Sequence, residues 1–348
     1  MLDDLQQIHE RDQHDALGVA EKQWQQVAYE YDLGGWRPAT EIRNIVHSGM
    51  GGSALWALLS QSWPGWNVPF EVVRGYDLPA YVGPETLFIA SSYSGNTEET
   101  LSSLKQAEEK GAQIVIITSR GRLEEIANEK GYLLIKLPTI IPPRYGCFYG
   151  FKGLVTLGEE LGLLATEGTR NELASTGEFL QTAIGQWLPS VPTTQNRAKQ
   201  LALEIMGKSP VLYGGPLLAP AAHKWKIGFN ENSKNVAWEY AFPEFNHNEF
   251  TGWTAQPEHK PYVVVYLLSS FDNDRIKKRF DLSEKLLSGR WPAPERIEAQ
   301  GETKVQQLLW TVAMGDFVSL YTALLNNVSP IDLGDKDIIE RFKKELNS

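Results

Sequence analysis

The sequence predicts an α/β fold of two domains, each a mostly parallel sheet with helices on both faces in three layers. Three observations carry this. Short apolar runs alternate with helical stretches from residue 44 to residue 137. Those runs end in clusters of Gly, Ser and Asn, the residues that turn a chain. A weaker version of the same alternation begins again at Pro210. Strands apolar on both faces are what a doubly covered parallel sheet requires.

The elements follow in order. Residues 1–32 read as helical, with Leu17, Val19, Ala20, Trp24, Val27 and Ala28 at roughly helical spacing, and Gly34-Gly35 breaks the pattern. Residues 44–48 form a first strand, which runs into Gly49-Met50-Gly51-Gly52-Ser53 and then a helix. Residues 70–73 and 86–90 are the next strands. The second of these opens into Ser91-Ser92-Tyr93-Ser94-Gly95-Asn96-Thr97 and a helix over 98–109. A strand over 113–118, a helix over 123–130 and a strand over 132–137 complete the series. After a Pro-rich turn at 138–144, residues 148–164 read as a helix, and a helical stretch over 171–202 must break at Pro189 and Pro192. The second series has strands at 210–213 and 262–268 and another around 297–299, with helices over 219–230, 304–325 and 335–347. The expected domains are residues 1–165, a helical linker over 166–200, and residues 201–348.

Composition narrows the function. The formal charge of −10 argues against a broad nucleic-acid-binding surface, so an anionic ligand needs a local pocket of N–H groups, hydroxyls or a specific Arg. Cys147 is the only cysteine, which excludes an intramolecular disulfide and a Cys-rich zinc site and points to a reducing compartment. The start, Met1-Leu2-Asp3-Asp4-Leu5, lacks the basic and apolar segments of a secretory signal. No run of about 18 apolar residues is evident, so no membrane association is expected. The expected location is the cytoplasm.

Ligands of parallel sheets bind beyond the carboxyl ends of strands, where helix N-termini offer free N–H groups and a partial positive charge. The loop Gly49–Ser53 lets backbone approach a ligand, and Ser92, Ser94 and Thr97 add hydroxyl donors at the start of a helix. For a lone Ser or Thr a helix cap is the simpler role, but the cluster favours phosphate binding. The glycine loop lacks the spacing of a dinucleotide fingerprint and the Lys-Ser/Thr ending of a nucleotide-hydrolase loop. The six histidines show no metal-ligand spacing. His47 ends a buried strand and reads as core, and Lys277-Lys278-Arg279 reads as a solvated helix face.

Gly49-Met50-Gly51-Gly52-Ser53-Ala54 and Ser92-Tyr93-Ser94-Gly95-Asn96-Thr97-Glu98-Glu99-Thr100 resemble the SIS, or sugar isomerase, domain. With Pro142-Pro143-Arg144-Tyr145-Gly146, Asn230-Glu231-Asn232-Ser233-Lys234 and Glu244-Phe245-Asn246-His247-Asn248-Glu249, the chain is similar to the bifunctional phosphoglucose/phosphomannose isomerase family over essentially its whole length. The resemblance implies two SIS-type domains of flavodoxin-like build and a homodimer whose active sites are shared between domains and subunits. It implies hexose 6-phosphate substrates and no cofactor or metal.

Isomerisation through a cis-enediol needs a base for a carbon-bound proton, an acid/base at the ring oxygen, and positive charge near O1 and O2. By resemblance Glu231 is that base, His247 of the partner subunit opens the ring, and Arg144 supports the enediolate. Gly52, Ser53, Ser92, Ser94 and Thr97 would hold the phosphate, and Glu244 and Glu249, acidic neighbours of His247, read as orienting or structural groups. The C-terminal motif is shorter than the family's usual one. Allowing a two-residue deletion, Ser329 takes a substrate-binding position and Lys336 a position that helps ring opening or binds sugar oxygens. A small hydroxyl at 329 would leave room to rotate about C2–C3, so either C2 epimer can form. Two other readings stay open, a non-catalytic phosphosugar sensor and an isomerase for another phosphosugar.

Overall fold

β3 (Thr86–Ser92) is buried at every residue, so it can only be an inner strand with helices on both faces. The computed structural model describes residues 1–140, 143–255, 257–332 and 338–346. The chain divides into two units, one of residues 23–177 and one of residues 1–22 together with 178–348.

In the unit of residues 23–177, β1 (Asn44–Ser48), β2 (Phe70–Val73), β3, β4 (Gln113–Thr118) and β5 (Leu133–Lys136) form one parallel sheet in the order β2-β1-β3-β4-β5. Register sets the faces. Val46 pairs with Phe88, and Phe88 with Ile114, and all three share a core cluster with Leu104, Ala107 and Leu123 from the crossover helices. The helices are Gly52–Ser62, Glu98–Glu109 and Arg122–Lys130. A further helix, Cys147–Glu160, lies against Gly52–Ser62, where a Cβ on Gly150 would meet the Trp56 ring at 2.3 Å.

The other unit holds β6 (Ser209–Gly214), β7 (Trp238–Ala241), β8 (Tyr262–Leu268) and β9 (Glu295–Glu298), parallel in the order β7-β6-β8-β9. This repeats the first four positions of the first sheet, the order of flavodoxin-like folds. The packing repeats too. Helix Ala219–Gly228 follows β6 as Gly52–Ser62 follows β1, and its Trp225 ring lies where a Cβ on Gly315 would meet it at 2.2 Å. Gly315 belongs to the long helix Lys304–Leu325. That helix is apolar and long enough to cross a membrane by length and composition, which the sequence reading did not register, but 94% of its apolar window is buried inside the unit.

Several elements differ from the sequence reading. The stretch that reads as helical over 1–32 is three short helices, Leu5–Arg11, Ala16–Glu21 and Trp24–Val27. Asp12 interrupts it by accepting from the N–H groups of Ala16 and Leu17, and Asp15 is left-handed at φ 52°. The first segment belongs with the second sheet: Arg11 donates to the Leu324 carbonyl at 2.5 Å, and Lys199 pairs with Asp3 at 3.2 Å. β7 was not foreseen as an element, while the helix face expected at Lys277-Lys278-Arg279 is part of a longer helix, Asp274–Leu286.

Candidate active site

The carboxyl edge of the first sheet gathers the hydroxyls. β1 ends at Ser48 and turns through Gly51, at φ 51°, into helix Gly52–Ser62. A side chain at Gly51 or Gly52 would meet nothing within 4 Å, so the loop has open space beside it. Ser53 is 8% exposed and its Oγ accepts from the Tyr93 N–H at 3.1 Å, tying the glycine loop to the serine loop. That leaves the Ser53 hydroxyl proton to donate.

In the second loop, Ser92 Oγ lies 2.7 Å from Thr97 Oγ1 and 3.4 Å from Ser94 Oγ, and accepts from the Gly95 N–H at 3.1 Å. Thr97 stands at the N-cap of helix Glu98–Glu109 but its side chain makes no capping bond. Its hydroxyl therefore belongs to the serine cluster, not to the helix. Gly95 makes this geometry possible: at φ 74° its Cα faces the Arg120 carbonyl, and a Cβ would lie 1.7 Å from that oxygen. The first turn of the helix carries Glu98 and Glu99, which compete with a ligand anion for the helix dipole. Ser48 was passed over in the sequence as a strand end. Its Oγ is buried without a partner among the described residues, at the mouth of the glycine loop. The signal was there in its position, immediately before Gly49.

Arg144 sits in the 3-10 turn Pro143–Tyr145, half-buried, with its guanidinium 5.7 Å from the Tyr145 ring centre. The chain reaches that turn from the serine loop's side: the Tyr93 hydroxyl donates to the carbonyls of Pro138 and Ile140 at 2.9 and 3.1 Å. Gln26 Nε2 donates to the Tyr145 carbonyl at 2.6 Å and fixes the turn's far end.

In the second unit, helix Ala219–Gly228 ends in a π-helical turn, Phe229–Ser233, closed by Lys234 at φ 57°. Glu231 is half-buried on this turn. Its neighbours are all tied down. Asn232 Nδ2 donates to Ser319 Oγ at 2.8 Å, Asn326 Nδ2 donates to the Ser233 carbonyl at 3.0 Å, and Lys234 Nζ donates to the Ser329 carbonyl. The structure thus brings Ser329 to the turn of Glu231. Ser329 Oγ itself accepts from the N–H groups of Ile331 and Asp332. Lys336 lies outside the described residues, as does Pro142.

His247 stands apart from Glu231. It is exposed at the end of the 3-10 turn Glu244–His247, just beyond β7. Asn235, four residues after Glu231, donates to the carbonyl of Lys208, which precedes β6. Phe242, five residues before His247, donates its N–H to Gly214, which ends β6. The two groups therefore lie at opposite ends of a strand roughly 17 Å long. The turn of His247 is braced by Asn248, whose Nδ2 donates to Glu244 at 2.9 Å, and by Glu249, which accepts from the Tyr213 hydroxyl.

The glycine turn after β6 is closed where that after β1 is open. The buried Asp272 carboxylate lies 2.3 Å from where a Cβ on Gly215 would stand. Burial pushes its pKa up to about 6. His47 has no place among these groups. It is fully buried in the first sheet, accepts from Trp56 Nε1 at 3.2 Å, and burial pushes its pKa down to about 3. Among the described residues no three of His, Cys, Asp and Glu are gathered to hold a metal ion.

The SIS domain model matches residues 41–138, and the model of the bacterial phospho-glucose isomerase C-terminal SIS domain matches residues 194–346. The bifunctional phosphoglucose/phosphomannose isomerase of Caldicellulosiruptor bescii is 36% identical over 313 residues, covering 88% of this chain and 91% of that one. That of Aquifex aeolicus is 34% identical over 310 residues, with 88% and 91% covered. The D-glucosamine-6-phosphate 4-epimerase of Sulfolobus acidocaldarius is 31% identical over 255 residues, 70% of this chain and 74% of that one. A glucose-6-phosphate isomerase-like protein of Thermus thermophilus has the same fold, with a TM-score of 0.62 at 22% identity over 96% of this chain and 98% of that one. The glycine and serine loops fall within the first matched region and the turns of Glu231 and His247 within the second. The chain belongs to the bifunctional phosphoglucose/phosphomannose isomerase family, the SIS-domain aldose–ketose isomerases.

Proposed function

We propose that this protein interconverts glucose 6-phosphate and mannose 6-phosphate with fructose 6-phosphate through a cis-enediol, and that it acts as a homodimer. Membership of the family supports the substrates. The observation that carries the division of labour is the separation of Glu231 from His247 along the second sheet. Two groups at opposite ends of a strand cannot serve one sugar within one chain, so His247 of the partner subunit completes each site.

In this reading Ser53, Ser92, Ser94 and Thr97 hold the phosphate, with Gly52 giving the backbone room to approach. The partner's His247 moves a proton at the ring oxygen and opens the sugar. Glu231 takes the proton from C2 of the aldose and returns it to C1, while Arg144 stabilises the negative charge that develops on O1 and O2. Ser329, beside the Glu231 turn, leaves room for rotation about C2–C3, so that protonation at C2 yields either epimer. Lys336 would assist at the sugar oxygens.

A coupled assay following fructose 6-phosphate from each aldose phosphate tests the activity, with and without EDTA. Turnover of both, undiminished by chelation, is expected. Glu231→Gln should lower kcat by about 10²–10⁴-fold while calorimetry still detects hexose phosphate binding. Sharing of the site is tested by mixing Glu231→Gln with His247→Ala chains. Each inactive alone, they should form mixed dimers with one intact site, giving about a quarter of wild-type activity from an equal mixture. No recovery would place His247 and Glu231 in the same chain's site. The likeness to the glucosamine-phosphate epimerase supports one further reading, an amino-sugar phosphate as substrate, which the same assay resolves.

A further inference from the structure

We propose that the hollow beside the His247 turn binds an organic phosphate, at a site separate from the serine loops. Its wall is one face of helix Asp274–Leu286. Arg275, Lys278, Arg279, Leu282 and Leu286 follow the spacing that puts side chains on a single stripe. Asn246 and Phe250 form the opposite wall, and the space between is about 420 Å³. That is the size of an organic ligand, more than a bare inorganic ion needs.

Charge decides what enters. The chain carries 33 basic and 43 acidic residues, so an unneutralised cation cluster is against the average. Of the three acids on this helix, Asp274 in the first turn makes no ion pair within 4.0 Å among the described residues and the other two are drawn elsewhere. Asp281 and Glu284 of the same helix pair with Arg296 at 3.2 and 2.9 Å. Among the described residues Arg275, Lys278 and Arg279 form no ion pair within 4.0 Å. Arg279 instead donates to Asn246 Oδ1 at 3.1 Å, and Asn246 Nδ2 donates to Ser283 Oγ at 2.8 Å, so the back wall is built and held. Three cations at one end suit a phosphate group. Leu282, Leu286 and Phe250 at the other suit the less polar part of the same molecule. Both leucines are exposed, at 42% and 60%, and would be covered by such a ligand.

The proposal does not depend on the isomerase reading, and binding tests it without turnover. Calorimetry on the full-length chain would use adenosine 5′-monophosphate, pyrophosphate and fructose 6-phosphate as probes. Three proteins are compared: wild type, Ser92→Ala and the exposed pair Arg275→Gln/Lys278→Gln. Adenosine monophosphate should bind wild type and Ser92→Ala alike, and bind the double variant at least about tenfold more weakly. The double variant should keep wild-type basal activity and thermal midpoint, so a loss of binding is not a loss of fold. If fructose 6-phosphate binds Ser92→Ala and the double substitution removes that binding, the natural occupant is the substrate itself; if only adenosine monophosphate or pyrophosphate does so, it is another phosphate. The proposal is overturned if no probe binds Ser92→Ala at millimolar concentration, or if the double variant binds every probe as wild type does.

Discussion

Lowering the pH from 7.5 to 5.0 should destabilise the first unit through one side chain, His47. The imidazole is fully buried, and its Nε2 accepts from Trp56 Nε1 while Nδ1 has no partner among the described residues. Burial holds the folded pKa near 3, against 6.5 for the unfolded chain. The sign follows: below pH 6.5 the unfolded state takes up a proton that the folded state refuses, so stability is full above 6.5 and falls as the pH drops towards 3. The slope is about 1.36 kcal/mol per pH unit, which gives roughly 2 kcal/mol between pH 7.5 and 5.0. His47→Gln keeps an acceptor for Trp56 but cannot titrate. Urea unfolding of both proteins, followed by Trp fluorescence at several pH values, isolates the effect, because the other titrating groups are common to the two and cancel. Wild type should lose about 2 kcal/mol more than the variant over that range. Parallel pH profiles would refute the argument.

Asp272→Asn should act in the opposite sense. The carboxyl's folded pKa of about 6 lies above its ordinary 3.8, so its ionised form costs stability as pH rises through 6. The variant should be more stable than wild type by about 2–3 kcal/mol at pH 8 and no more stable at pH 3.5, as read by urea unfolding. Gly95→Ala forces a left-handed residue onto the Arg120 carbonyl, so it should cost about 2–4 kcal/mol and raise KM for the hexose phosphates. Ser319→Ala removes the acceptor of the Asn232 amide below Glu231, and should lower kcat with little change in KM, since it touches no phosphate-holding group. Gly315→Ala, against the Trp225 ring, should cost about 1–3 kcal/mol by overpacking.

What could be read from the sequence is what periodicity and turn chemistry encode. β3 and β4 hold the apolar runs 87–90 and 114–117, and the loops after β1 and β3 carry a cluster of glycines and hydroxyls. β7 escaped notice because it is short, half-exposed and paired on one side only, with β6. Helix Asp274–Leu286 is legible only as a solvated face at Lys277-Lys278-Arg279, because its buried side is thin, Ile276, Phe280 and Ser283. That same thinness leaves the cationic stripe of the proposed phosphate hollow looking, in sequence, like ordinary solvated surface. The membership of residues 1–22 in the second unit depends on contacts some three hundred residues away, such as Arg11 with Leu324, which local pattern cannot express. Nor does Phe229-Asn230-Glu231-Asn232-Ser233 announce a π turn, since widening of a helix end is decided by its anchors on the neighbouring helix.

That widened turn makes the carboxylate separable from the scaffold. A π turn holds one residue more than the α-helical turn it replaces. Excising Asn230, the position before Glu231, would swing Glu231 by about 100° about the helix axis, at the expense of the bonds that Asn232 and Ser233 make with Ser319 and Asn326. β6, β8 and the packing of Trp225 on Gly315 lie upstream or elsewhere and need not change. Under the role proposed for Glu231, a one-residue change in this turn would take the base out of its site while both sheets keep their strands.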